Sequence, residues 1–473
     1  MTLFAFVIGV IYLAAATLFV VGLHLMRLPS TARRGNLISA GGMVIAVAAT
    51  IVFSLINSGG SWIGWLALVL GAAGGAAFGI IRARTVKMTD IPQLVSIFNA
   101  VGGGAAAAVA FADFVLHTSG ARLDLTSSIP IVLDVVIGSV TFSGSLIAAG
   151  KLQGIISGSP ITFPGARIVN VVAIGVALAA GVFAIVIGDN ILFLVVVLVA
   201  SLLFGVLMVL PIGGADAPVI VSLLNAFTGL AVAMAGFAIN NQALIIAGAL
   251  VGAAGTILTL QMAKAMNRSV LAIVLGGFGT GDSTSSAPAD AQDLADVHEL
   301  TADDVAVQLA YAQHVMIVPG YGLAAAQAQH EVAELAKLLM AHGIDVKYAI
   351  HPVAGRMPGQ MNVLLAEANV PYEQMLQLDA ANVAFDNCDV ALVVGANDVY
   401  NPDARKPGNP VSGMPILDVD HAKSVVILKR SMRPGYSGIS NPLFTDPKTG
   451  MFFADAKKGL ADITAAVKEY VPA

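Results

Sequence analysis

The residues best placed for chemistry begin at Pro319-Gly320-Tyr321-Gly322. They follow an apolar, β-branched run from Val315, which reads as a buried parallel strand. A helical pattern over 324–341 comes at once after them. A strand, a glycine turn and a helix N-terminus form a cradle for the phosphates of a dinucleotide. Gly320 permits the tight turn, and Gly322 lets the backbone approach a pyrophosphate. Ala325 stands where Gly-x-Gly-x-x-Gly/Ala wants a small residue between helix and strand. Glycine also ends strands for purely structural reasons, so the pattern points to a nucleotide without proving one.

Further candidates sit at other predicted strand ends. Gly395-Ala396-Asn397-Asp398 follows a strand over 389–395, and His351 to Gly359, with Arg356, follows a strand over 345–350. Lys429-Arg430-Ser431 closes a strand over 424–429, and Arg433-Pro-Gly-Tyr436-Ser-Gly438 has glycines placed as for a mobile lid. Doubly wound sheets bind ligands at this carboxyl edge. An NAD site wants an acid at the end of the second strand for the ribose 2′-hydroxyl. Ile350-His351-Pro352 offers none, and Asp345 is at the wrong end. Two cations and a hydroxyl at 429–431 suit a 2′-phosphate and favour NADP over NAD; the alternative is an ordinary exposed basic pair. The eight histidines and the single Cys388 show no metal-ligand spacing, and Cys388 reads as core. No hydrolase nucleophile elbow is present.

These groups need a sheet to hold them. Strands are predicted at 313–318, 345–350, 389–395 and 424–429, with a short one at 414–419, and helices at 324–341, 359–369 and 459–470. That alternation is an open, doubly wound α/β, Rossmann-like domain over 305–473. Residues 276–304, rich in Gly, Ser, Ala and Asp, read as a flexible acidic tether.

What precedes the tether is of another class. The chain has 473 residues, 57% hydrophobic and 11% charged, with mean hydropathy +0.85; soluble proteins average about a quarter charged. The deficit is concentrated in 1–275. A spanning helix needs roughly 20 apolar residues, and nine fit: 3–23, 36–57, 61–81, 90–116, 131–150, 168–188, 190–210, 217–238 and 242–265. Alternate loops carry Arg27, Arg33 and Arg34; Arg82, Arg84 and Lys87; Lys151 and Arg167; Lys264 and Arg268, while the opposite loops carry Arg122. The positive-inside rule then puts 305–473 in the cytoplasm and the N-terminus outside. The net charge of −5 offers no basic face for nucleic acid.

Polar residues inside spans are costly and informative: Asn99, Asp134, Ser143, Ser145, Ser222 and Asn225, with Asp216 at the mouth of the eighth span. Ser222, Asn225 and Gly229 share one helix face. A carboxylate at a helix mouth with an amide inside could line a proton path. A polar helix–helix contact with an N-cap aspartate explains the same residues. Gly71, Gly75 and Gly79, and the triplet Gly102-Gly103-Gly104, read as close helix packing.

The combination resembles the β subunits of bacterial proton-translocating NAD(P)+ transhydrogenase over essentially the full length. The carrying stretches are Gly213-Gly-Ala-Asp216, Ser222-Leu-Leu-Asn225, Ala265-Met-Asn-Arg-Ser269, Gly276-Gly-Phe-Gly279, Pro319-Gly-Tyr-Gly322, Ala325-Ala-Gln-Ala-Gln329, His351 to Arg356, Gly359 to Glu367, Gly395-Ala-Asn-Asp398 and Lys429-Arg-Ser-Met. The resemblance implies a proton-conducting membrane domain over 1–275 and an NADP(H)-binding domain over 305–473. It implies NAD(H) on a separate α subunit or pair of chains, a dimer of such units, and a bacterial inner membrane. It carries the proton path onto Asn225, Asp216 and Ser145. It carries the NADP site onto Gly320, Tyr321, Gly322, Arg356, Asp398, Lys429, Arg430 and Tyr436. Some members have a protonatable histidine in the fourth span, seven residues after a proline; counting from Pro92, Asn99 stands there. Either the relay is on the partner subunit or Asn99 holds water. Two other classes remain open on the residues alone: an ion channel or transporter gated by a cytoplasmic nucleotide-sensing domain, and a membrane anchor for another dehydrogenase.

Overall fold

The structure is a computed structural model that describes residues 3–26, 29–57, 61–117, 125–157, 161–187, 190–212, 217–266, 269–274, 297–357, 359–409, 411–433, 435 and 437–471. Asp216, Tyr436 and 276–296 of the expected tether lie outside the described residues. The chain divides into two compact units, Met1–Pro211 with Ile220–Thr259, and Ile212–Val219 with Leu260–Ala473.

Among the described residues, nine helices are long and apolar enough to cross a membrane. They are α1 (Leu3–Leu25), α2 (Pro29–Asn57), α3 (Trp62–Thr85), α4 (Ile91–His117), α5 (Leu125–Leu152), α6 (Ala166–Ile187), α7 (Ile191–Val209), α8 (Ala217–Ala238) and α9 (Gln242–Ala265). Each predicted span is present, with ends moved by a turn or two at most. Helix α5 is the most deeply buried of them and packs against α4, α6 and α7.

Lipid gives helices no hydrophobic drive to associate, so close backbone approach decides packing. A Cβ on Gly103 would stand 2.7 Å from Thr141 Cβ, and one on Gly138 would stand 2.5 Å from the Gly103 carbonyl oxygen. Helices α4 and α5 therefore touch backbone to backbone. Gly102 faces Thr228 of α8, and Gly104 faces Phe142 of α5, so the glycine triplet is a joint between three helices. The Gly71, Gly75 and Gly79 stripe behaves differently. Nothing lies within 4 Å of a Cβ at any of the three, and α3 has no buried residue. The close packing expected of this stripe is not made within the chain; α3 reaches α4 through Phe78 and Phe98, edge to face at 6.5 Å.

After the short α10 (Val270–Val274) and α11 (Ala302–Ala310), the second unit carries a six-stranded parallel sheet. Its strands are β1 (His314–Pro319), β2 (Asp345–Ile350), β3 (Met375–Gln377), β4 (Val390–Val394), β5 (Ser424–Lys429) and β6 (Thr449–Phe453). Their order is β3-β2-β1-β4-β5-β6, that of a doubly wound dinucleotide fold, with its switch point between β1 and β4. The helices are α12 (Tyr321–Ala325), α13 (Gln329–Ala341), α14 (Gln360–Glu367), α15 (Leu378–Phe385) and α16 (Ala456–Tyr470). Strand β4 is buried at every position and β1 from Val315 onward. Continuous Val, Ile and Leu runs are what a parallel sheet with both faces covered requires. The register pairs Val315 with Val390 and Pro319 with Val394, so β1 and β4 end level.

Four expectations are corrected. Residues 414–419 form no strand: Asn382 takes up the Ile416 carbonyl (2.9 Å) and the Asp418 N–H (3.1 Å), and His351 takes the Pro415 carbonyl (2.7 Å). Side chains there satisfy the backbone that a ladder would otherwise satisfy. The helix over 324–341 is broken between α12 and α13, where Gln327 has φ 53°. Strands β3 and β6 were missed, the first being three residues long and the second carrying Gly450 in its interior. Residues 297–304, assigned to the tether, belong to folded structure: Glu299 bridges to Met451, and Thr301 with Asp304 forms a capping box that opens α11.

Candidate functional site

Because β1 and β4 end level, their following loops meet at the switch point. The Gly320 N–H donates to the Val394 carbonyl (2.9 Å), and the Gly322 N–H donates to the Gly395 carbonyl (2.8 Å). A Cβ on Gly322 would stand 2.7 Å from Gly395 Cα. Gly395, at φ 64°, would put a Cβ 2.5 Å from Gly322 Cα. A Cβ on Gly320 would collide with the Ala396 backbone. These glycines let two loops lie against each other. Their N–H groups are committed to protein carbonyls. Ala325 is exposed; the small buried residues of this turn are Ala324 and Ala328.

Around that joint the crevice is built from side chains. Tyr321 lies under Arg356, whose guanidinium carbon is 4.4 Å from the ring centroid. Arg356 is placed by its own backbone: its N–H donates to Gln360 Oε1 (2.5 Å) at the start of α14. The loop carrying Arg356 is anchored by His351. That ring accepts the Val353 N–H at Nδ1 (3.2 Å), so Nε2 carries the hydrogen and donates to the Pro415 carbonyl (2.7 Å). Burial pushes His351 down to about 4, which keeps it neutral.

At the end of β5, the Lys429 ammonium donates to Asn397 Oδ1 (2.8 Å) and to the Arg433 carbonyl (2.7 Å), and it lies 4.5 Å from the Phe444 ring centroid. Burial lowers Lys429 to about 8, against an opposing pull from Asp398. The Asn397 amide donates to Asp398 Oδ1 (2.9 Å). Asp398 also receives the Ser437 hydroxyl (2.6 Å) and the Ser437 N–H (3.1 Å). Thus Lys429, Asn397, Asp398 and Ser437 form one chain of hydrogen bonds across the loops after β4 and β5. Arg430 and Ser431 are exposed beside it. Together these groups can bind a multiply charged anion and stack a planar ring.

The sequence reading missed the scaffold under this chain. Asn441 donates to the Asn397 carbonyl (3.1 Å), and Asn401 donates to the Ser440 carbonyl (3.0 Å). Each also caps a short helix through its side-chain oxygen, at Leu443 and at Asp403. The signal was present as a repeated Asn-Pro pair, 401–402 and 441–442. Among the described residues no cluster of His, Cys, Asp and Glu could hold a metal ion.

In the membrane unit Asn99 is buried; its amide donates to the Val221 carbonyl (3.3 Å) and its own carbonyl receives the Thr228 hydroxyl (3.3 Å). It ties α4 to α8. Ser222 accepts from Thr259 (3.0 Å) and donates to the Gly255 carbonyl (3.4 Å), a contact between α8 and α9. Asn225 is half-buried, and its side-chain amide makes no hydrogen bond with a described group. Ser145 is fully buried with its hydroxyl unpaired.

A family model described as NAD(P) transhydrogenase beta subunit matches residues 8–466. The chain belongs to the NAD(P) transhydrogenase beta subunit family. Two curated relatives named NAD(P) transhydrogenase subunit beta, one from Rhodospirillum rubrum and one from a named strain of that species, are each 44% identical over 464 residues. Those alignments cover 96% of this chain and 98% of each relative. As a transhydrogenase beta subunit the chain is part of an oxidoreductase, and a beta subunit implies an alpha partner. The nine apolar helices make it a membrane protein.

Proposed function

We propose that this beta subunit binds NADP(H) in the crevice between the β1 and β4 loops and conducts protons through its membrane helices. In this reading an alpha partner brings NAD(H), two such units form a dimer, and the sheet domain lies on the cytoplasmic side of the inner membrane. The observation that carries the cofactor choice is Lys429, a partly buried ammonium aimed by Asn397 and the Arg433 carbonyl. The end of β2 supports it: where an NAD site wants an acid, this chain has buried, neutral His351.

Bound NADP(H) supplies or accepts the hydride at its nicotinamide. Lys429 and Arg430 would hold the 2′-phosphate, and Arg356 over Tyr321 would offer a third cation. Asp398 fastens the Ser437 segment, and with Gly395, Asn397, Ser431 and Tyr436 it completes the site. In the membrane, Asn225, Asn99 and Ser145 orient water, since amides and hydroxyls do not change charge near neutral pH. Asp216 holds the proton at the mouth of α8. One charge falling through about 100 mV supplies about 2.3 kcal/mol. At about 1.4 kcal/mol per tenfold that shifts a nearly balanced hydride exchange roughly fifty-fold. Titrating the purified complex with NADP+ and with NAD+ by calorimetry tests the assignment. Tight binding of NADP+ at a site that NAD+ does not compete for is expected; preferential binding of NAD+ to this chain would refute it.

A further inference from the structure

Asp134 lies on α5, fully buried, and neither carboxyl oxygen accepts a hydrogen bond from a protein group. Native proteins leave few buried polar atoms unpaired, and each asks for a reason. More stand in the same bundle: the Ser139 and Ser145 hydroxyls of α5 and the Ser201 hydroxyl of α7, which packs on α5. Asp134 and Ser145 are eleven residues apart, about 16 Å along the axis and within about 20° of one face. Gly138 and Thr141 occupy the same stripe, and both meet Gly103 of α4. The stripe is therefore turned to the bundle interior and not to lipid. Ile131 and Val135, either side of Asp134 on α5, share a core with Ala110 and Phe114 of α4. Toward the other end of the stripe, α4 carries Asn99, one turn before Gly103.

The other ionisable side chains of α4 to α8 are Asp113 and His117 on α4, Lys151 on α5 and Arg167 on α6; α7 and α8 carry none. All four lie within five residues of a helix end. Asp134 alone stands well inside. An ionisable side chain facing a bundle interior marks a functional site by default, because its cost there asks for a reason.

We propose that Asp134 is a second proton-exchanging carboxyl, inside the membrane unit where Asp216 stands at the mouth, and that it works along one stripe with Ser145 and Asn99. The proposal rests on the proton-conducting reading above. In one half-step a carboxylate oxygen forms an O–H bond with a proton delivered by water, and the charge is lost. In the other half-step that O–H bond breaks, water on the Ser145 side takes the proton, and the carboxylate returns. No electron moves. The stripe is tightest where Gly138 meets the Gly103 carbonyl, so α4 and α5 must part slightly for the proton to pass.

Asp134→Asn keeps the shape and removes the titratable group. In the assembled complex in sealed vesicles it should slow proton-coupled NADPH–NAD exchange about a hundredfold, the scale of a lost acid–base group. Hydride exchange with NADP(H) kept bound should be unchanged. Infrared difference spectra across the pH profile should show a protonated-acid carbonyl band in the wild type, displaced in Asp134→Glu and lost in Asp134→Asn. Normal pumping by Asp134→Asn overturns the proposal. So does a band unmoved in Asp134→Glu, the readout that decides if Asp134→Asn does not assemble. A wild-type complex that exchanges hydride without moving protons sinks the parent reading, and this one with it, before any variant is compared.

Discussion

In the crevice proposed for the nucleotide, Lys429, Asn397, Asp398 and Ser437 each hold the next by a hydrogen bond, and Asn441 holds the chain from beneath. In the membrane helices, Asp134, Ser139, Ser145 and Ser201 keep buried polar atoms that no protein group pairs. The difference is what the proposed roles of the two regions require. A binding site gains affinity when its groups are already in place. A proton path works only if its groups can change partners, so fixed protein bonds would close it. On the proposed function, the chain fixes the groups from Lys429 to Ser437 where it would recognise, and leaves Asp134 and Ser145 without protein partners where it would conduct.

The comparison breaks most sharply at Asn225. Asn225→Leu replaces an unpaired amide inside α8 by an apolar side chain of similar size. Coupled proton pumping, followed with a pH-sensitive dye in vesicles, should collapse together with net NADPH–NAD exchange. Exchange with NADP(H) kept bound should survive. A variant that pumps normally would make Asn225 a packing residue. The next largest effect is expected at Lys429. Each charge-assisted hydrogen bond contributes about 1.5–3 kcal/mol, so Lys429→Ala should weaken NADP binding roughly ten- to a hundred-fold. Equal losses for NADP and NAD would remove its 2′-phosphate role, since NAD lacks that group.

A pH profile sharpens the same point. With Lys429 at about 8 in the free protein, a bound phosphate favours the ammonium and raises it. Binding then takes up a proton above pH 8. NADP affinity should be level below about pH 8 and fall as pH rises through it, by at most about tenfold per unit. A flat profile to pH 10, or the same fall in Lys429→Ala, would assign the titration elsewhere. The smallest effect concerns where the sheet domain begins. Thr301→Ala removes the capping box of α11 and should cost about 1 kcal/mol of stability, read as a lowered unfolding midpoint. No change would mean that 297–304 behave as tether after all.

These two regions were also unequally legible beforehand. The nine spans and the strands β1, β2, β4 and β5 follow from long apolar runs, a signal that needs no tertiary information. Strands β3 and β6 carry no such run, and 414–419 has one but spends its backbone on Asn382 and His351. The spacing of Gly320 and Gly322 marks the turn where two loops meet, and no local pattern shows that Gly395 and Ala396 lie against them. Lys429 was found from its strand-end position, whereas Ser437 and Asn441 act through loops whose meeting no local pattern encodes. Asp134 was visible as a charge inside a span. Its lack of partners became visible only once α4 and α7 were seen packed around α5.

The most direct measurement puts the complex, with its alpha partner, into sealed vesicles containing a pH-sensitive dye and adds NADPH with an NAD analogue. Reduced analogue should appear by absorbance while the lumenal pH changes in step with it, and dissipating the proton gradient should change the rate of exchange. Reduced analogue without any proton movement would contradict the coupling assigned to the membrane unit. No reduced analogue at all would leave a membrane protein whose crevice does not deliver hydride.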